Sequence, residues 1–353
     1  MLAVISVLPL QDYLFMEIQK AALKTVRELA RVQPGEKVLI LGDTATDFSL
    51  LRSVAAAAHS LNAEASLLVY ETREEVDMEP PPPVAAAMKS SDVIISFPLM
   101  YIMHTAAYND AMRAGARILE LSGMDSDMMV RLIGRTDYET MCMLGSKLRD
   151  LTENARLVRI QTDKGTELEF ENDPTRPVFH NDGILTEKGM YEPLGGQISW
   201  APVEESLKGV MVVDTFAWPP DEVGLVRNPM KITLREGRIV GIEGGIEARA
   251  FQRWLEALKD EKMYMVAHAS WGFHPKARLT GRPLEDERLY GGIEFGFGAQ
   301  SLKFKGKVGL AKAHTDLGIF NPKVYLDSTL VASEGRFVHP DLIDLDRKLK
   351  GST

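Results

Sequence analysis

Two rhythms divide this chain, and their order limits its fold more than any other feature. Over roughly the first 125 residues helical and extended patterns alternate. Tyr13–Arg31 carries apolar residues at helical spacing and Gly35 comes after it. Lys37–Leu41 is a short apolar strand ending at Gly42-Asp43. Phe48–Leu61 is Ala-rich and helical, and Ala65–Tyr70 returns as a strand. Glu79–Pro83 is a proline run and is expected to be a loop. Asp92–Phe97 and Ala116–Leu121 are further strands, with a helix from about Thr105 to Ala114 between them. This alternation predicts a parallel sheet covered by helices. Such sheets place ligands at the carboxyl ends of their strands, and His104 lies just beyond one such end.

Asp125–Leu151 reads as helical and as the link to a second region, where the pattern becomes hairpin-rich. Arg156–Gln161 and Glu167–Glu171 flank Asp163-Lys164-Gly165, and Lys231–Leu234 and Ile239–Glu243 flank Glu236-Gly237; both are turn signals between strands. Gly244–Leu258 reads as one amphipathic helix. From Met263 to Leu330 the segments are short, Gly-punctuated and strand-like. The expectation is an α/β, Rossmann-like domain over 1–150, followed by an α+β domain over 151–353 whose largely antiparallel sheet carries a metal site. At 353 residues the chain is long enough for two cores.

Bulk chemistry removes several classes of function. A formal charge of −9 with no Lys/Arg cluster argues against nucleic acid or an anionic membrane as partner. One cysteine, Cys142, cannot form an intrachain disulfide or a Cys-rich zinc site, and fits a reducing cytoplasm. No stretch approaches the roughly 18 uncharged apolar residues of a membrane span. Met1–Leu10 is apolar without a basic region before it, and reads as a buried or interface segment, not a signal peptide. No G-x-S-x-G elbow, Walker loop or G-x-G-x-x-G after the first strand is present.

His314-Thr315-Asp316 is the most informative short motif. In an extended segment an H-x-D pair puts imidazole and carboxylate on one face, because strand side chains alternate with period two. One imidazole from a neighbouring strand would complete the two-His, one-carboxylate set that holds Fe(II) and leaves positions open. His268 is a candidate for it, although a histidine in an apolar strand is also an ordinary core residue. Glu294 stands out because glycines and aromatics surround it in Gly291–Gly298; its plain reading is a solvated strand carboxylate. His104 by default is a helix-start histidine.

Several stretches together carry a family resemblance: Gln197-Ile198-Ser199-Trp200-Ala201-Pro202, His268 to Pro275, Gly291–Gly298, Ala313-His314-Thr315-Asp316 and Val324-Tyr325-Leu326-Asp327. In order and spacing they resemble the thermophilic two-metal aminopeptidases and the related 2,5-dihydroxypyridine 5,6-dioxygenases of nicotinate breakdown. Against the peptidases, Gln197 stands in place of a metal-bridging glutamate, His268 in place of a glutamate and Glu294 in place of a histidine. Losing the bridge favours one metal over two, since a two-metal site needs more anionic ligands. The dioxygenase pattern is closer. It has H-x-G-W-G, here with Ser270 before Trp271-Gly272, and H-x-D at His314 and Asp316. It also has a first-domain histidine, here His104, followed ten residues later by the run that stands here as Ala114–Leu119.

The resemblance implies a mononuclear Fe(II) centre on His268, His314 and Asp316, with His104 as the catalytic acid/base facing it across an interdomain cleft. The implied reaction opens a hydroxylated aromatic ring with O2; 2,5-dihydroxypyridine would give N-formylmaleamic acid. Glu294 is expected behind the ligands, orienting one of their imidazoles. Met103, Trp271, Tyr191 and Glu187 (or Glu192) are expected near the substrate, Tyr191 standing where the dioxygenases have a Trp/His-rich stretch. A homo-oligomer is also implied, with the segment from Glu334 onward as a possible arm against a neighbour. The competing readings are an aminopeptidase with a Zn or Co site in which Glu294 ligates, and a non-catalytic member of the family.

Overall fold

The computed structural model describes residues 11–351 and divides the chain into two compact units. The first comprises the residues up to Thr136 together with Asp182–Gly195; the second comprises Asp137–Asn181 and the residues from Gly196 onward. The apolar Met1–Leu10 segment lies outside the described residues.

In the first unit, five parallel strands run in the order Glu64–Tyr70, Lys37–Asp43, Val93–Ser96, Arg117–Glu120, Tyr191–Pro193. The central strands are continuous buried runs, with Val38 to Asp43, Val93 to Ser96 and Arg117 to Glu120 all buried, as expected of a sheet covered on both faces. The helices start where short polar side chains can cap them. Asp47 accepts from the Ser49 N–H ahead of Phe48–Ser60, and Thr105 accepts from the Tyr108 N–H ahead of Ala106–Arg113.

Three expectations need correction here. The proline run does not stay a loop: a helix, Pro82–Lys89, begins inside it, because proline is well suited to the first turn, where its missing N–H is not needed. The helical stretch expected over Asp125–Leu151 breaks after Gly134, which lies tight against Ala21 (an added Cβ would meet the Ala21 Cβ at 3.0 Å). A new helix, Tyr138–Asn154, starts under an Asp137 cap that accepts from the Thr140 N–H at 3.1 Å. That helix packs with the second unit, so the division falls at 136/137 and not near 150. The third correction concerns Tyr191–Pro193, which pairs in parallel with Ile118–Glu120 and so returns to the first unit.

The second unit holds an eight-stranded and a seven-stranded sheet, all of whose pairings are antiparallel. The hairpins expected around residues 163–165 and 236–237 are present in the larger sheet. In the seven-stranded sheet the middle strands are His314–Ile319, Gly292–Gly298, Val266–Gly272 and Gln197–Trp200. Trp200, Trp271 and Phe295 are fully buried, and Phe170 of the larger sheet meets Trp200 at 6.3 Å and Phe295 at 5.8 Å. The two sheets therefore share an apolar layer, and alternation leaves the other face of the smaller sheet for polar residues.

The segment from Glu334 is docked on its own unit. Asp346, in the helix Ile343–Lys350, is buried and accepts from the Tyr290 hydroxyl (2.9 Å) and the Phe337 N–H (3.0 Å), while pairing with Arg336. Among the described residues no helix is long and apolar enough to cross a membrane.

Candidate metal centre

Strand register assembles the centre. His268 pairs with Gly296, Gly296 pairs with Asp316, and the next residue on that face of the middle strand, Gly298, pairs with His314. His268, His314 and Asp316 thus project from one face on either side of a strand that contributes only glycine between them. An ideal Cβ on Gly296 would lie 2.3 Å from His268 Nε2 and 2.6 Å from His314 Cε1, so the two rings occupy the space a side chain would fill.

The donor atoms converge. His268 Nε2 and His314 Nε2 are 3.1 Å apart, and Asp316 Oδ1 is 3.2 Å from the first and 3.1 Å from the second. Bonds of about 2.1 Å at right angles give donor–donor edges of about 3.0 Å, and tetrahedral bonds give about 3.4 Å. The observed triangle is closer to one face of an octahedron, which suits a divalent transition metal with its remaining positions open. Three acceptor atoms this close need either a shared hydrogen or a cation among them, and the chemistry of the donor set fits a cation.

The three groups shift one another's protonation. Burial holds His268 below the usual imidazole range, which keeps its lone pair available. Burial also works against charge on His314, yet Asp316 and the Ala299 carbonyl push it up to about 8. Asp316 is held well below the usual carboxylate range, because His314 and His268 outweigh its burial. His314 Nδ1 lies 2.7 Å from the Ala299 carbonyl oxygen, an acceptor only, so Nδ1 carries the hydrogen and Nε2 faces the triangle.

Glu294 is on the same face, one pair along, opposite Ser270 and Gly318. Its carboxylate is not part of the triangle: Gln197 Nε2 donates to Glu294 Oε1 at 2.7 Å and to Glu287 Oε2 at 3.3 Å. Burial raises Glu294 well above the usual range, with Glu287 and Asp316 adding to the effect. Burial raises Glu287 to about 7, with Arg288 opposing and Asp316 assisting. Among the described residues, the group able to hold a metal is His268, His314 and Asp316, with ligand atoms within 4.8 Å of one another.

Trp271 is a correction. Odd parity puts it on the face opposite His268, where it is fully buried, donates to Thr152 Oγ1 at 3.1 Å and packs on Phe337. It belongs to the core and does not line the centre.

The remaining expected residues all lie in the first unit. His104 is exposed, just before the helix Ala106–Arg113 at the carboxyl edge of the sheet; its N–H donates to Asp77 Oδ1 at 2.9 Å and its ring lies edge-on to Tyr101. Met103 is half-buried against the apolar cluster that includes Ile102 and Tyr108. Tyr191 packs edge-on against Tyr108 at 5.9 Å. Glu187 is exposed and precedes Gly189, whose N–H reaches the Gly115 carbonyl at the amino end of the Arg117–Glu120 strand. Glu187 and His104 therefore sit at opposite edges of that sheet and do not converge. The polar residues that sequence reasoning left without a role are Ser199, Ser270, Glu287 and Asp77. The first two carry a readable signal, a polar side chain two positions from another on the same strand face; the loop residues Glu287 and Asp77 carry none.

A family model described as 2,5-dihydroxypyridine 5,6-dioxygenase matches residues 19–339. A 2,5-dihydroxypyridine 5,6-dioxygenase from Pseudomonas putida is 24% identical over 266 residues, spanning 72% of this chain and 73% of that protein. A solved structure of 2,5-dihydroxypyridine dioxygenase from Pseudomonas putida superposes with a TM-score of 0.76 at 20% identity, covering 93% of this chain and 99% of the other. AmpT from Thermus thermophilus superposes with a TM-score of 0.66 at 14% identity, covering 92% and 100%. At these identities the structural likenesses establish the fold.

Proposed function

The chain belongs to the 2,5-dihydroxypyridine 5,6-dioxygenase family, and from that premise we propose that it is a ring-cleaving dioxygenase acting on a hydroxylated N-heteroaromatic such as 2,5-dihydroxypyridine, with Fe(II) held by His268, His314 and Asp316. The observation that carries this reading is the donor triangle of two imidazoles and one carboxylate with edges of 3.1–3.2 Å. Fe(II) bound there would supply a Lewis acid with open positions for O2 and a ring oxygen.

The chain's own groups prepare for an anionic substrate. With an ion bound, Asp316 would be the one charged ligand and would offset half of a divalent charge. Burial pushes Glu294 and Glu287 toward the neutral form, which limits the negative charge the protein adds and favours a deprotonated ring hydroxyl. His104 takes that hydroxyl proton and returns one later, a role suited to an imidazole near neutral pH. Its support is an exposed ring at the carboxyl edge of a parallel sheet, with its backbone N–H held by Asp77.

The test is oxygen uptake by anaerobically reconstituted Fe(II) protein given dihydroxypyridines. One O2 consumed per ring opened is expected. Cleavage of leucyl anilides without oxygen dependence would overturn the reading in favour of a hydrolase. His314→Ala should lose both metal and turnover. His104→Ala should keep the metal and lose about 100- to 10,000-fold in turnover; full activity in that variant would remove His104 from the mechanism.

A further inference from the structure

His314 and His268 present the same nitrogen to the triangle, but their outer nitrogens are held differently. His314 Nδ1 faces a backbone carbonyl, which leaves no choice of tautomer. His268 Nδ1 faces Ser270 Oγ at 3.1 Å, and a hydroxyl can either donate or accept. If Ser270 donated to Nδ1, the hydrogen of His268 would move to Nε2 and block the atom that faces Asp316 and His314. What decides the matter is where the Ser270 hydrogen goes. Ser270 Oγ donates to Ser199 Oγ at 2.9 Å on the neighbouring strand, and both serines are buried. Ser270 has two partners for its one hydrogen, Ser199 and the Glu294 carboxyl opposite it, and given to either it leaves His268 a lone pair.

We propose that Ser270, oriented by Ser199, is a positioning residue that fixes His268 as the Nδ1–H tautomer and keeps its Nε2 bare for the metal. The proposal rests on the metal reading above for its purpose, although the tautomer itself is a property of the metal-free chain. The arrangement comes from period two. His268 and Ser270 are successive residues on one strand face, Ser199 is the cross-strand neighbour of Ser270, and a serine pair satisfies a buried imidazole N–H without adding charge next to the ion. Ser270 needs no exposure and makes no substrate contact; it acts only through His268.

The test uses the full chain in two measurements. In metal-free protein, the ring 15N shifts of His268 should report hydrogen on Nδ1, with Ser270→Ala showing hydrogen moved wholly or partly to Nε2. In titrations with Co(II) as the probe ion, Ser270→Ala should bind about 10- to 100-fold more weakly than wild type, and Ser270→Thr, which keeps the hydroxyl, should restore both readouts. Ser199→Ala should shift the tautomer in the direction of Ser270→Ala. An unchanged 15N pattern in Ser270→Ala overturns the proposal, as does a loss of affinity that Ser270→Thr fails to restore in a folded protein. If wild type binds no Co(II) and His314→Ala makes no difference, the metal reading fails, and the 15N result alone then judges the serine pair.

Discussion

Adding one methyl group at Gly296 would place carbon 2.3 Å from His268 Nε2 and 2.6 Å from His314 Cε1, closer than any unstrained contact. Overpacking of this kind costs about 1–3 kcal/mol, and relief by swinging either ring away would open the donor triangle. Gly296→Ala is therefore expected to keep its fold by circular dichroism and lose on the order of 100-fold in divalent-metal affinity, read by Co(II) titration. Wild-type affinity in that variant would show that the rings do not depend on the space. The ligands were legible at this scale because H-x-D needs only strand periodicity to be interpreted. The same periodicity runs through Gln197 and Ser199, through His268, Ser270 and Gly272, and through His314, Asp316 and Gly318, all on one face. Trp271 belongs to the motif that carries the resemblance, but its odd position relative to His268 assigns it to the core. Glu287 was invisible, because loop residues reach a site through tertiary structure and leave no period behind.

At the scale of elements, the ends of the parallel strands hold what the sequence hid. Ala116–Leu121 reads as an ordinary apolar strand, yet its Glu120 is buried beside Ser96 at the carboxyl edge of the sheet. Glu120 Oε1 accepts from the Ser122 N–H at 3.1 Å and from the Ser122 hydroxyl. Burial pushes the group up to about 7, with the Ser122 hydrogen bonds opposing. Proton counts give the sign of the pH effect. Below about pH 4.5 the acid is protonated in both folded and unfolded chains and contributes no difference. As pH rises to about 7 the unfolded chain ionises first, so stability falls, by on the order of 3 kcal/mol in all, and then levels off. Glu120→Gln should therefore unfold at higher urea concentration than wild type at pH 8 and at nearly the same concentration at pH 4. Equal midpoints for the two proteins at pH 8 would mean that Glu120 carries no buried-charge penalty. The proline run teaches a related lesson: composition marked it as a loop, but proline at a helix start is decided by where the next turn packs.

At the scale of the whole chain, the polypeptide passes between the two units three times, at 136/137, 181/182 and 195/196. Sequence patterns revealed one change of rhythm and hence one boundary. The second excursion escaped notice because its strand, Tyr191–Pro193, is three residues long and has no period to detect. The helix Tyr138–Asn154 shows why a cut at 150 would fail. Gly145 lies so close to His180 and Phe273 that a Cβ would sit 2.2 Å from His180 Nε2 and 2.7 Å from Phe273 Cζ. Thr152 accepts from Trp271 through its hydroxyl and from Asn172 Nδ2 through its carbonyl. A fragment beginning at 151 keeps Thr152 but strips the turns of helix that hold it and uncovers Phe273. Leaving the buried Trp271 N–H unsatisfied alone costs about 1–3 kcal/mol, before the lost apolar cover is counted. A fragment of 137–353 retains the helix, with residues 182–195 reduced to a surface loop, which chains tolerate because closure entropy grows slowly with length. Urea unfolding monitored by tryptophan fluorescence should be cooperative for 137–353 and broad or absent for 151–353. Two equally sharp transitions would show that the helix is dispensable to the unit that carries the donor triangle.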